Sequence, residues 1–166
     1  MLPPENKLPQ RKSPRLEGYD YSRNGAYFVT ICVQDRLHLF GTIVEQKMIL
    51  NDAGVMIHHF LGEIPQKYAS IEPDLFVVMP NHIHIILLKL SDDDGLSISD
   101  IIQWFKRITT NEYIEGVKNK QWKRFSRRLW QQSFHDHIIR DEGSLNYIRE
   151  YVLYNPRLWE KDELNT

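Results

Sequence analysis

A chain of 166 residues with 42% apolar content is long enough for one domain with a single core and short for two. Its one cysteine, Cys32, excludes an intrachain disulfide and any cluster of thiolate ligands, so a bound metal would have to use histidine, carboxylate or amide groups. The formal charge of -1 argues against a uniformly basic nucleic-acid binder, yet residues 101–140 hold nine Lys and Arg against three Asp and Glu, a local surplus that a phosphate backbone can use.

Residues 1–24 are Pro-rich and modestly basic, with Lys7, Arg11, Lys12 and Arg15, and read as a flexible arm. They contain no apolar signal core, and no run in the chain approaches the roughly 18 apolar residues of a membrane span. A soluble, cytoplasmic protein without a membrane partner is therefore expected. The stretch AYFVTICV at residues 26–33 is rich in β-branched and aromatic residues and follows Asn24-Gly25, which predicts a strand after a turn. RLHLFGTIVEQKMIL predicts a short hairpin broken near Gly41, and a helix capped by Asn51 follows.

IEPDLFVVMP and HIHIILLKL predict two strands joined by a tight turn at Pro80-Asn81. After an acidic loop, Ser97 or Ser99 can cap a long helix with Ile101, Trp104, Phe105 and Ile108 on one stripe. A basic connection containing Trp122 and Trp130 leads to a strand near SFHDHIIR and a last helix from about Glu142 to Asn155, where Pro156 discourages continuation. Strand, helix, two strands, helix, strand and helix is the split βαβ order of an α+β, ferredoxin-like (RRM-like) antiparallel sheet. Its helices are expected on one face, with a C-terminal helix added and the other face free. The expected organisation is the arm, one domain over residues 25–159, and an acidic tail at 160–166.

In VVMPNHIHIILL, residues 77–88, His82 and His84 stand two apart on a strand and so project from one face. Two imidazoles at that spacing can converge on one cation, or be buried histidines satisfied by hydrogen bonds. His135 and His137 in FHDHIIRDE have the same spacing, and spacing does not choose between the pairs. His38, His58 and His59 lack such organisation. In YIREYVLYNP, Tyr147, Tyr151 and Asn155 lie four apart along a helix and share a face, which suits either a core stripe or a phenol and amide serving one site.

Taken together and in this order, VVMPNHIHIILL, FHDHIIRDE and YIREYVLYNP resemble the REP-associated tyrosine transposases and their insertion-sequence relatives in the HUH nuclease superfamily, over residues 25–159. The resemblance implies that His82, His84 and the amide of Asn155 hold Mg²⁺ or Mn²⁺ and that Tyr151 is the nucleophile. Asn155 stands one helical turn after Tyr151, whereas Tyr147 and Tyr154 have no amide at that offset. The implied activity is cleavage and rejoining of single-stranded DNA next to hairpins through a 5′-phosphotyrosine. A phosphodiester exchanged for another needs no ATP. Neutral imidazoles are required to bind metal, so activity should fall as pH drops below about 6 to 6.5.

The DNA-binding candidates are Lys106, Arg107, Trp122, Lys123, Arg124, Arg127 and Arg128, with Arg11 and Lys12 on the arm, since Trp stacking interleaved with cations suits single strands. A non-catalytic ferredoxin-like module binding single strands and a metal-dependent DNA hydrolase are the competing readings. Both a monomer and a homodimer are compatible with the sequence.

Overall fold

The structure, a computed structural model, describes residues 23–166. Arg11 and Lys12, and the arm before residue 23, lie outside the described residues. The elements are β1 (Gly25–Cys32), β2 (Gly41–Val44), β3 (Lys47–Leu50), α1 (Asp52–Gly62), α2 (Ile64–Lys67), β4 (Ile71–Met79), β5 (His82–Lys89), α3 (Ile98–Asn119), β6 (His135–Ile139) and α4 (Glu142–Tyr154). A 3-10 stretch over Asn155–Lys161 follows α4.

Strands β4, β5, β1 and β6 form one antiparallel sheet in that order, the ferredoxin-like arrangement, with β5 and β1 in the middle. Alternation divides the two central strands cleanly. Tyr27, Val29 and Ile31 of β1 and Ile83, Ile85 and Leu87 of β5 face the main core, with Ile57 and Leu61 of α1 and Ile101, Ile102 and Phe105 of α3. Phe28 and Ile86 face the other way, onto Ile148, Tyr151 and Val152 of α4. Because both faces are covered, the central strands read as near-continuous apolar runs. The sheet face expected to be free is therefore occupied: α4 carries apolar residues at helical spacing and has to bury them.

Local signals explain the helix starts. The Asn51 side chain accepts from the Gly54 amide at 2.9 Å, and Ser97 with Asp100 forms a reciprocal capping box at the head of α3. Asp141 caps α4 by accepting from the Ser144 amide. Gly54 is needed for packing, since a Cβ there would stand 2.1 Å from the Phe40 carbonyl oxygen.

The hairpin of β2 and β3 turns at Glu45 and Gln46, with φ of 49° and 62°, a primed turn built without glycine or asparagine. Gly41 opens its first strand. The α-helical part of α4 ends at Tyr154, and Pro156 is accommodated at the start of the 3-10 stretch, where a missing N–H costs nothing. That stretch returns the chain to the sheet, so that Trp159 and Leu164 are buried. No helix among the described residues is long and apolar enough to cross a membrane.

Candidate metal and tyrosine site

His82 and His84 open the central strand β5 and point to the face covered by α4. Both are fully buried. Their Nε2 atoms are 3.1 Å apart. Each ring is held from behind: His82 Nδ1 lies 2.8 Å from Asn81 Oδ1, and His84 Nδ1 lies 2.7 Å from Thr30 Oγ1. Thr30 stands opposite His84 in the register of β1 with β5, which explains the contact.

The hydrogen bonds set the tautomers. Asn81 Nδ2 donates to the Leu164 carbonyl at 2.6 Å and to that of Arg36 at 3.4 Å, which fixes the amide with its oxygen toward His82. His82 Nδ1 must then carry the proton, leaving a lone pair on Nε2. A hydroxyl is less restrictive, because Thr30 can donate to His84 Nδ1 or accept from it. With its proton on Nε2, His84 can donate to His82 Nε2 at 3.1 Å. A cation on Nε2 would require the proton on Nδ1, where the Thr30 oxygen would accept it.

The spacing fits a divalent cation. Adjacent ligands of an octahedral ion with bonds of about 2.1 Å stand about 3 Å apart, and opposite ones about 4.2 Å. The imidazole nitrogens match the adjacent separation. Asp162 Oδ2 lies 3.8 Å from His82 Nε2, and one ligand atom from each of His82, His84 and Asp162 falls within a 4.8 Å sphere of mutual distances. Asn155 is fully buried, and neither atom of its amide has a hydrogen-bond partner among the described residues. A buried amide left unsatisfied costs about 1–3 kcal/mol, and a cation that takes its oxygen removes part of that cost.

Tyr151, 8% exposed, lies against the pair: its ring is 5.4 Å from that of His84 and edge-on to Phe28 at 6.0 Å. Arg149, two residues earlier, grips Asp74 of β4 with Nε and Nη2 at 2.7 and 2.8 Å, which ties α4 to the sheet edge. Tyr147 is half-buried, and burial together with the Glu150 charge pushes its phenol above the usual value, away from ionisation. On the other side of the site Trp159 stacks on His82 at 6.0 Å.

His135 and His137 are on the same sheet face but on the edge strand β6, with Thr30 between His135 and His84. They do not join the cluster of ligand atoms. Sequence reasoning missed Asp162, Asn81 and Thr30. The only signal for Asp162 was its place in an acidic stretch, and nothing there separates it from its neighbours.

The basic candidates divide into two groups. Arg107, Lys123, Arg124, Arg127 and Arg128 are exposed. Lys106 turns inward and donates to the carbonyls of Gln131, Gln132 and Ser133 at 2.8–3.4 Å, and burial pulls its ammonium down to about 8. Trp122 is half-buried against Tyr113, with the Lys120 ammonium 5.6 Å above it. The basic connection reaches the histidine end of the sheet: Gln34 donates to the Leu129 carbonyl, Gln131 donates to that of Cys32, and Cys32 pairs with His82.

A buried histidine pair in a ferredoxin-like sheet, under a tyrosine-bearing helix, places the chain in a class that comparison with known proteins identifies as transposases. The family described as "Transposase IS200 like" matches residues 23–155. The chain belongs to this family, and membership implies nuclease and strand-transfer activity on DNA. It is 36% identical over 166 residues to an uncharacterized protein of Haemophilus influenzae, covering 93% of this chain and 92% of that one. It is 30% identical over 141 residues to a second protein of that organism, named "Putative REP-associated tyrosine transposase", covering 82% and 73%. The solved structure of a REP-associated tyrosine transposase bound to a REP hairpin aligns with a TM-score of 0.59 at 19% identity, covering 86% of this chain and 73% of that one, and so shares the fold.

Proposed function

We propose that the protein cleaves and rejoins single-stranded DNA beside hairpins through a covalent 5′-phosphotyrosine on Tyr151. Mg²⁺ or Mn²⁺ would be held by His82, His84 and Asn155. The observation that carries this reading is the convergence of two imidazole Nε2 atoms at 3.1 Å on the sheet face that also receives Tyr151. A bound cation supplies Lewis-acid polarisation of the scissile phosphate.

The chain's own residues do the rest. Asn81 and Thr30 keep the imidazole lone pairs aimed forward. Tyr151 attacks phosphorus, its Oη–P bond forms as the P–O3′ bond breaks, the phenol releases its proton and the departing 3′-oxygen takes one up. Reversal with another 3′-hydroxyl rejoins strands and restores the phenol, so cleavage and transfer balance without a cofactor nucleotide. Arg149 and Asp74 hold α4 against the sheet, with Tyr151 beside His84. Arg124, Arg127, Arg128 and Lys123 offer phosphate contacts near the histidine end, and the hairpin-bound relative in the shared fold supports hairpin DNA as partner.

The test is incubation of the protein with labelled single-stranded DNA carrying a hairpin, in Mn²⁺, followed by denaturing electrophoresis. A protein-linked band is expected with the native protein and none with Tyr151→Phe. Free nicked DNA from Tyr151→Phe would point to a hydrolase in which water attacks, and binding without cleavage in any metal would point to a binding module. His82→Ala and His84→Ala should abolish the band while DNA binding persists.

A further inference from the structure

The ligands named above have a charge problem. Two neutral imidazoles and a neutral amide leave a divalent cation uncompensated in a site whose three side chains are fully buried. Burying an unpaired charge is among the most expensive things a protein does, and nearby carboxylate is the usual remedy. Residues 155–164 bring one. Asp162, with a side chain 5% exposed, sets Oδ2 at 3.8 Å from His82 Nε2, too far for a hydrogen bond and within the range spanned by adjacent and opposite ligands of one ion.

Three further contacts hold the carboxylate there. Asp162 Oδ1 accepts from the Leu164 amide at 2.8 Å, leaving Oδ2 toward the histidines. The Leu164 carbonyl accepts from Asn81 Nδ2 at 2.6 Å, and Asn81 is the residue whose oxygen orients His82. The Glu163 carbonyl accepts from Arg36 at 3.1 Å, while the Leu164 side chain is buried. One asparagine thus links the C-terminal segment to a histidine of the pair. The family match ends at residue 155, so Asp162 and Leu164 lie beyond it.

We infer that Asp162 is an anionic ligand of the cation held by His82 and His84, so that metal binding also fastens residues 155–164 over the site. The inference rests on the metal role proposed for the histidines. It assigns a function to residues 156–164, which the cleavage reading leaves unused. The exchange of one buried +2 charge against a carboxylate and an incoming phosphate also becomes balanced.

The experiment uses the full chain and Mn²⁺ alone, without DNA. Titration calorimetry measures Mn²⁺ affinity, and hydrogen exchange measures protection of residues 159–166 with and without the ion. Asp162→Asn keeps an oxygen for the Leu164 amide and removes the charge. It should weaken Mn²⁺ binding tenfold or more and abolish the Mn²⁺-dependent slowing of exchange seen in the native protein, whereas Asp162→Glu should recover part of both. Native affinity in Asp162→Asn, with His84→Ala losing Mn²⁺ binding, would overturn the inference and leave the histidine site intact. Mn²⁺ binding unaffected by both Asp162→Asn and His84→Ala would overturn the metal assignment itself. Unchanged metal-free exchange rates in Asp162→Asn show that the segment still folds.

Discussion

Replacing Thr30 by valine isolates the second hydrogen bond of a proposed metal ligand. The side chain keeps its shape and its fitness for a strand, and loses only the hydroxyl that meets His84 Nδ1 at 2.7 Å. Both residues are buried, so water does not replace the partner. An orphaned imidazole nitrogen should cost the metal-free protein about 1–3 kcal/mol. The loss is greater with a cation on Nε2, because the Nδ1–H is then polarised, and charge-assisted bonds are about twice as strong as neutral ones.

That excess, about 1.4 kcal/mol, corresponds to about a tenfold weaker affinity for Mn²⁺, within the range of roughly 10–100-fold seen when an outer-shell partner is removed. Calorimetric titration with Mn²⁺ and urea unfolding of the metal-free protein read the two effects separately. Thr30→Ser restores a hydroxyl and should recover most of the affinity. A Thr30→Val protein with native Mn²⁺ affinity, or a serine variant no better than valine, would refute the idea that Thr30 supports His84 as a ligand by accepting from its Nδ1–H.

Other outcomes follow from the packing and charges. Gly116→Ala would place a Cβ 2.1 Å from the Trp122 ring, so despite a gain of about 1 kcal/mol in helix propensity we expect a net loss of about 1–2 kcal/mol in urea unfolding, with changed tryptophan emission. Asp74→Asn should slow formation of the protein–DNA adduct more than it weakens Mn²⁺ binding, because it loosens α4, which carries Tyr151 and leads into Asn155, and leaves the two histidines in place, as single-turnover assays and titration will show. Hydrogen bonds from Lys89 first, then Ser70 and the Leu96 amide, hold the Asp94 carboxyl down to about 2. Its folded value lies below the unfolded one of about 3.9, so its contribution is present above about pH 4 and is lost as pH falls toward 2. Asp94→Asn should flatten that part of the acid-unfolding curve.

What the sequence discloses is what local periodicity encodes. Alternation placed His82 and His84 on one face of a strand, the four-residue steps placed Tyr151 and Asn155 on one face of a helix, and caps at Asn51 and at Ser97 or Ser99 announced their helices, of which the structure uses Ser97. The order of elements then yields the ferredoxin-like sheet. Contacts made across long stretches of chain are another matter. Asp162 reaches His82 only because the 3-10 stretch doubles back, and neither residue's neighbours announce it. Lys106 reads as a phosphate ligand, but its ammonium meets three carbonyls of the connection after α3. Trp122 reads as a stacking platform, yet glycine at 116 admits its ring against α3. The hairpin at Glu45 and Gln46 lacks the residues that usually mark such turns. Helix α4 on the opposite sheet face follows from its apolar stripe, but only once the first face is known to be full.

The Pro80-Asn81 turn also bears on the order in which the protein is made. It joins β4 and β5 into the most local strand pair of the sheet, and local pairs close early because little chain entropy is lost in bringing them together. His82 and His84 therefore acquire their relative placement from a hairpin that leaves the ribosome well before α4 is synthesised. Tyr151 and Asp162 arrive afterwards, on elements that need the sheet as a template. A nascent chain would hold its histidine pair before Tyr151 is beside it, and the proposed cleavage would become possible only as the last elements dock.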